Sequence, residues 1–288
     1  MFKLSTISFM LFAFVSLAVA QDTFSLALQE RMLRYESDMV LGEDATSRKL
    51  GFDSLSQTLT QSLSDPLSFT DSLSHLRSVS VLYGTDSTFR VISLQGELAD
   101  GEFMHVGYIQ TKDTTYFLTD ASDKLSNPVT DECSVDHWYG ALYYHLEPYR
   151  HDGQERYLLL GYDGHSTSSR RKIIESLSFD RAGIPVLGEL VFEHPYLQDV
   201  RRFILQYSSE VAIRLNYDQA LKMIVFDHLI PMQSIYKNES VVMVSDGSYE
   251  GFKLKDGMWT HVEKVFHQVN QGAPGEGLSE ERKKLFKN

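Results

Sequence analysis

Ser78-Val79-Ser80-Val81-Leu82-Tyr83-Gly84-Thr85-Asp86-Ser87-Thr88-Phe89-Arg90-Val91-Ile92-Ser93 is the stretch whose reading decides the fold. Val79, Val81 and Tyr83 alternate with Ser78, Ser80 and Leu82. A period of two is the signature of a strand with two unlike faces. Gly84-Thr85-Asp86 carries turn chemistry, and Phe89, Val91 and Ser93 resume the period. The pair reads as a β-hairpin.

Downstream the same texture recurs. Strand-like runs cover 103–110, 114–119, 138–146, 157–162, 172–179, 186–192, 202–207, 211–217, 222–227, 249–254 and 258–265. Many are rich in β-branched and aromatic residues, which suit a pleated surface. The links are short: Thr111-Lys112-Asp113, His151-Asp152-Gly153-Gln154, Asp180-Arg181-Ala182-Gly183 and Lys255-Asp256-Gly257. Links of that length join antiparallel neighbours, because a parallel crossover needs a dozen residues or more. The expectation is a mainly β fold, an antiparallel meander of about a dozen strands. That number exceeds a comfortable open sheet, so a curved barrel, a sandwich or propeller-like sheets should result. The strands can be grouped into three sets of about four, with no clear sequence repeat behind the grouping.

Upstream, the pattern is helical. Phe24, Leu26, Leu33, Met39 and Val40 give a loose apolar stripe. Asp44 and Thr46 can start a second helix, in which Phe52, Leu55, Leu59 and Leu63 fall at steps of three and four. Asp65-Pro66 stops it. Residues 21–68 therefore form a helical arm with a narrow apolar face, which must lean on the β-rich part at 69–266. Residues 267–288 combine Gly272, Pro274, Gly275 and Gly277 with a charged run, and read as a flexible tail.

The first twenty residues read as a secretory signal. Met1-Phe2-Lys3 is a short basic start, Ile7 to Leu17 an apolar core, and Ala18-Val19-Ala20 a cleavage site before Gln21. The apolar run is too short to span a bilayer. No cysteine follows the cut to carry a lipid. The expected product is exported and soluble, in the periplasm or outside the cell, with no membrane span after cleavage. Removing Lys3 leaves 26 basic residues against 39 acidic, a net charge of −13. That excess argues against nucleic acid as a partner. The single cysteine, Cys133, cannot form an internal disulfide. Its acidic neighbours Asp131 and Glu132 disfavour the thiolate, so it reads as an ordinary loop thiol and not as a nucleophile.

No Gly-x-Ser-x-Gly elbow, His-Glu-x-x-His, phosphate loop, dinucleotide fingerprint or EF-hand loop is present. Ten histidines are scattered without metal-ligand spacing, so no metal or cofactor is implied. Three clusters carry candidate ligand-binding residues. The first is His137-Trp138-Tyr139-Gly140-Ala141-Leu142-Tyr143-Tyr144-His145. Strand alternation there puts Trp138, Leu142 and Tyr144 on one face and Tyr139, Tyr143 and His145 on the other. One face can pack on a core and the other can serve as a platform for a sugar ring; burial of both is the plainer reading. The second cluster runs from Leu158 through Tyr162, Asp163, Gly164 and His165 into a serine-rich loop. Asp163 can act as a base or a ligand, although Asp-Gly is first a turn signal. The third closes an apolar strand with Asp227 and His228, and has Asp246-Gly247-Ser248-Tyr249 downstream. Adjacent strand residues face opposite ways, so Asp227 and His228 each need a partner from elsewhere, such as Asp163, His165 or Asp246.

These stretches carry a resemblance. Trp138-Tyr139-Gly140-Ala141-Leu142-Tyr143-Tyr144, Leu159-Leu160-Gly161-Tyr162-Asp163-Gly164, Lys172-Ile173-Ile174, Lys222-Met223-Ile224-Val225-Phe226-Asp227-His228-Leu229 and Asp246-Gly247-Ser248-Tyr249 resemble a group of exported proteins of Bacteroidota. The similarity runs from about Phe69 to Val265. It implies a bacterial envelope location and brings no catalytic residue with it. Beside a purely structural assembly subunit, which would show a large exposed apolar patch, two functions fit the sequence. One is a non-enzymatic envelope protein that binds a partner protein or a glycan through loops at one end of its sheets. The other is a hydrolase of glycans or peptides that uses carboxylates at strand ends, such as Asp163, Asp227 and Asp246. A convergent pair of carboxylates in one cleft distinguishes the second from the first.

Overall fold

The computed structural model describes residues 24–99, 101–234 and 241–265. The stretch read as a signal sequence, 1–20, and the whole of the expected tail, 267–288, lie outside the described residues. The fold is mainly β, with two α-helices ahead of fourteen strands among the described residues. No helix among the described residues is long and apolar enough to cross a membrane.

Helix α1 is Leu26–Leu41 and α2 is Ala45–Leu63. Ser25 caps α1 by accepting Leu28 N–H, and Asp44 caps α2 by accepting Ser47 N–H. The expected stop holds: α2 ends at Leu63, and Pro66 opens a short 3-10 turn to Thr70. The α2 stripe of Phe52, Leu55, Leu59 and Leu63 is buried, as its spacing requires. On α1 the buried residues are Met32, Glu36 and Met39, while Leu26, Leu33 and Val40 are exposed. The loose stripe read from the sequence thus mixed two faces of α1, because Met32 was passed over in favour of Leu33.

Three open sheets follow. The first has the order β1 (Val79–Tyr83), β2 (Phe89–Ala99), β3 (Glu102–Thr111), β4 (Thr115–Leu118). The second runs β10 (Arg202–Ser208), β7 (Ser169–Phe179), β6 (Gln154–Asp163), β5 (Leu142–His151), with β8 (Pro185–Leu187) paired to β7. The third runs β11 (Leu215–Asp218), β12 (Met223–Gln233), β13 (Val241–Lys255), β14 (Met258–Val262), β9 (Phe192–Glu193). All pairings are antiparallel except β14 with β9. The turn Asp152-Gly153 joins β5 to β6, and Asp256-Gly257 joins β13 to β14. All four residues have positive φ, which matches the twist of two-residue hairpins.

The sheets stack as layers and do not close into a barrel. One core lies between the helices and the first sheet, where Met32, Phe52, Leu55 and Leu59 meet Ile92, Leu94 and Tyr108. A second lies between the first and second sheets, where Val91, Ile109 and Leu118 meet Tyr143, Leu159 and Ile173. A third lies between the second and third sheets, where Leu158, Leu160 and Ile174 meet Phe226, Phe252 and Trp259. The order is helices, sheet, sheet, sheet. Consecutive residues of β6, such as Leu158 and Leu159, therefore enter different cores. A strand buried on both faces reads as an unbroken apolar run, and Leu158-Leu159-Leu160 is that run. Two of the expected architectures, the barrel and the propeller, give way to this stack, because the middle sheet is sandwiched on both sides.

The aromatic segment before β5 departs from expectation. The strand begins at Leu142, not at Trp138. Trp138 instead bridges to Asp120, and its N–H bonds Thr119 O at 2.9 Å. Gly140 has φ +79°, and a Cβ there would fall 2.5 Å from Asp120, so the chain breaks the period of two at this point.

Candidate functional site

The first aromatic cluster is closed. Trp138, Tyr139, Ala141 and Tyr143 are all fully buried. Trp138 Nε1 donates to Tyr143 Oη at 2.8 Å, and Tyr143 Oη donates to Glu175. Arg202, fully buried beside Glu175, bonds that carboxylate and also Pro128 O at 2.6 Å. Every ring and charge in this network has a partner, as burial demands. Trp138 and Tyr139 are core residues with no face open to a sugar, because irregular backbone turned both inward. Cys133 lies at the edge of the same network. Burial and the nearby Glu175 push its thiol up to about 11, which agrees with an unreactive thiol.

Asp163 ends β6 in a second buried network, between the first two sheets. It accepts Tyr139 Oη–H at 3.2 Å and His165 N–H at 2.8 Å. The Asp163–His165 bond is an Asx-type turn, and it holds His165 at φ +60°. His105 lies beside Asp163, with its Nδ1 3.0 Å from Asp120 Oδ2 and its Nε2 2.9 Å from Gln95 Oε1. Gly164 N–H also donates to Gln95 Oε1. A backbone N–H can only donate, so Gln95 Oε1 is a shared acceptor and His105 Nε2 is a donor. Asp163 is thereby tied into the joint between two sheets.

The third cluster sits on the third sheet, apart from the second. The register of β12 against β13 shifts between Asp227 and Leu229, which places a bulge at His228. Asp227 accepts Arg214 N–H and Ser245 Oγ–H. His228 turns to Glu250 instead, and Glu250 also accepts His261 Nε2 at 2.9 Å. Asp246 stands 4.0 Å from His228 Nε2. Ser248 hydrogen bonds hold the Asp246 carboxyl below its usual range. The sequence reading expected separate partners for Asp227 and His228, and the bulge supplies them. It did not anticipate Glu250, which reaches His228 only because β13 lies beside β12. Among the described residues no group of three or more His, Cys, Asp and Glu side chains has a metal-holding arrangement.

Five of the polar candidates thus divide over two networks on two sheets. Asp163 and His165 are in one; Asp227, His228 and Asp246 are in the other. Each of the three carboxylates accepts local hydrogen bonds that fix a turn or a bulge.

Tyr162 is placed differently. It lines a cleft of about 490 Å³ where the helices, the first sheet and the second sheet meet. The other walls come from Arg48 at the start of α2, Gln95 and Glu97 near the end of β2, Phe103 at the start of β3, and Arg170 at the start of β7. The volume falls within the range of small-molecule sites, about 300–1,000 Å³. Phe103 and Tyr162 are half-buried. Gly164 allows the Phe103 ring to sit against the chain, since a Cβ at Gly164 would lie 2.3 Å from that ring. The Arg170 guanidinium lies 5.5 Å from the Phe103 ring centre, and Lys172 Nζ lies 5.4 Å from that of Tyr162. Burial raises the Tyr162 phenol above its usual value, against the lowering effect of Arg170. Only Tyr162 was singled out from the sequence. Arg48, Gln95, Glu97, Phe103 and Arg170 are common residue types at unremarked positions, and only the stacking of layers assembles them. No protein-family model, curated protein sequence or solved structure matches the chain.

Proposed function

We propose that this chain is an exported, non-enzymatic binding protein of a bacterial envelope that takes a carbohydrate in the cleft at Phe103 and Tyr162. The cleft carries the reading: two half-buried aromatic rings stand among planar polar side chains, Gln95, Glu97, Arg48 and Arg170. Sugars present apolar C–H faces and hydroxyl edges, so an aromatic residue flanked by amide, carboxylate and guanidinium groups suits them. Export rests on the signal-like first twenty residues and on the resemblance to Bacteroidota proteins. Against hydrolysis, Asp163 lies in one network and Asp227 and Asp246 in another, each is occupied as a turn or bulge acceptor, and none of them lines the cleft. Glycosidic hydrolysis needs two carboxyl groups about 5–10 Å apart across one substrate.

The test pairs calorimetry with a reducing-end assay on the mature chain, using neutral and acidic mono- and disaccharides. Saturable binding without release of reducing ends is expected, and Tyr162→Ala should weaken it at least tenfold. Release of reducing ends that Asp227→Asn or Asp163→Asn abolishes would establish the hydrolase instead.

A further inference from the structure

The cleft has a charge pattern that its shape alone does not require. Arg48 and Arg170 are both half-buried in its wall. Arg48 donates from Nε to Leu98 O at 3.0 Å and from Nη1 to Gly42 O at 3.1 Å. Arg170 donates from Nη1 to Gly164 O at 3.1 Å, to Ser169 O at 3.2 Å and to Ser166 O. All of these acceptors are neutral carbonyls. They orient the two guanidiniums and cancel none of their charge.

Arg90 of β2, fully buried, is likewise met only by neutral oxygens, those of Gln110, Asp71 and Ser68, but four arginines of or beside the second sheet are treated differently. Arg156 pairs with Glu189, Arg171 with Asp163, Arg201 with Glu132 and Arg202 with Glu175. Among the described residues no carboxylate lies within 4.0 Å of Arg48 or Arg170. This occurs in a chain of net charge −12, in which acidic partners are plentiful. One carboxylate, Glu97, lines the cleft, and it is exposed. Two oriented cations thus face one acid. Asp44 and Glu97 supply only longer-range counter-charge; a half-buried cation with no carboxylate in direct contact is costly, and the cost falls when a ligand supplies one. Guanidiniums fixed through one edge are suited to receive a planar carboxylate on another.

We infer that the ligand is an acidic sugar, a pyranose ring bearing a carboxylate, held with the carboxylate at Arg48 and Arg170 and the ring at Phe103 and Tyr162. The inference rests on the carbohydrate reading of the same cleft. It adds that the anion, and not the ring alone, provides the selectivity.

The probes are glucuronic acid, glucose and acetate, titrated into the mature wild-type chain by calorimetry at low ionic strength. Glucuronic acid should bind at least tenfold more tightly than either glucose or acetate. Arg48→Gln and Arg170→Gln, checked for folding by circular dichroism, should each cut glucuronic acid binding tenfold or more and glucose binding by a clearly smaller factor, so that the preference for the acid narrows. Raising the salt should weaken glucuronic acid binding selectively, a readout on the wild type that does not depend on either variant folding. Equal binding of glucose and glucuronic acid would overturn the acidic-sugar inference while leaving the carbohydrate reading in place. Acetate binding as tightly as glucuronic acid would overturn it in favour of an anion site without ring recognition. Binding of none of the three would remove both.

Discussion

Arg202 and Glu175 meet where the chain has no water to offer them. Both are fully buried, and both are completed by uncharged partners, Pro128 O and Tyr143 Oη–H. Removing one member of such a pair strands the other, at a cost of about 3–5 kcal/mol. Arg202→Met should therefore lower unfolding stability by that amount in urea titrations. Asp120 makes a second prediction. Burial alone raises its carboxyl, but the hydrogen bond and charge of His105, with hydrogen bonds from Ser122, outweigh burial and hold it below the usual 3.8. A carboxyl lowered in the folded state binds its proton more readily when unfolded, so it stabilises the fold above about pH 4. That contribution disappears as pH falls through the folded value. Urea midpoints measured from pH 6 to pH 2.5 should drop in the wild type, and Asp120→Asn should flatten part of the drop. Sequence reading found neither pair. Arg202 and Glu175 are 27 positions apart and His105 and Asp120 are 15 apart, and nothing in local pattern predicts which charges end up between two sheets.

The helices and strands were easier to read, and the exceptions have physical causes. Leu59 follows Leu55 at a helical step and is fully buried against the first sheet, whereas Leu50 of the same helix is 67 % exposed. Leu59→Ala should cost about 2–5 kcal/mol. Leu50→Ala should stay within about 0.5 kcal/mol. Chemical denaturation of the two variants side by side checks the orientation of α2. Asp152-Gly153 and Asp256-Gly257 close hairpins as their composition demands, but strand ends were read short: β12 runs on to Gln233 and β13 begins at Val241, where the sequence suggested 222–227 and 249–254. The segment 138–141 misled, because aromatic residues are favoured in strands and equally in buried coil. The break there comes from Gly140 packing on Asp120, a contact invisible in the local sequence. The bulge at His228 is similar. It shows only in the register against β13, and it brings His228 into a hydrogen bond with Glu250 while Asp246 stays at 4.0 Å.

The arrangement of layers determines what the molecule can present to a ligand. Alternation along strands such as 79–83 specified two faces, whereas the apolar run Leu158-Leu159-Leu160 shows its meaning, a sheet covered on both sides, only in the stacked layers. The order of layers was not legible, since it depends on which sheet each face meets. The helices, read as an arm needing support, prove to be the outermost layer, and their packing on the first sheet creates one wall of the cleft. Of the eight candidate site residues, Tyr162 alone lines that cleft. Trp138 and Tyr139 went to the core, and the other five were divided between two sheets. The central claim is that the ligand enters where helices and two sheets meet. A residue-resolved ¹⁵N NMR titration of the mature chain with glucuronic acid tests it most directly. The account predicts that shifted amides cluster around Arg48, Gln95, Glu97, Phe103, Tyr162 and Arg170. Shifts centred on His228 and Glu250, or no saturable shifts at all, would contradict it.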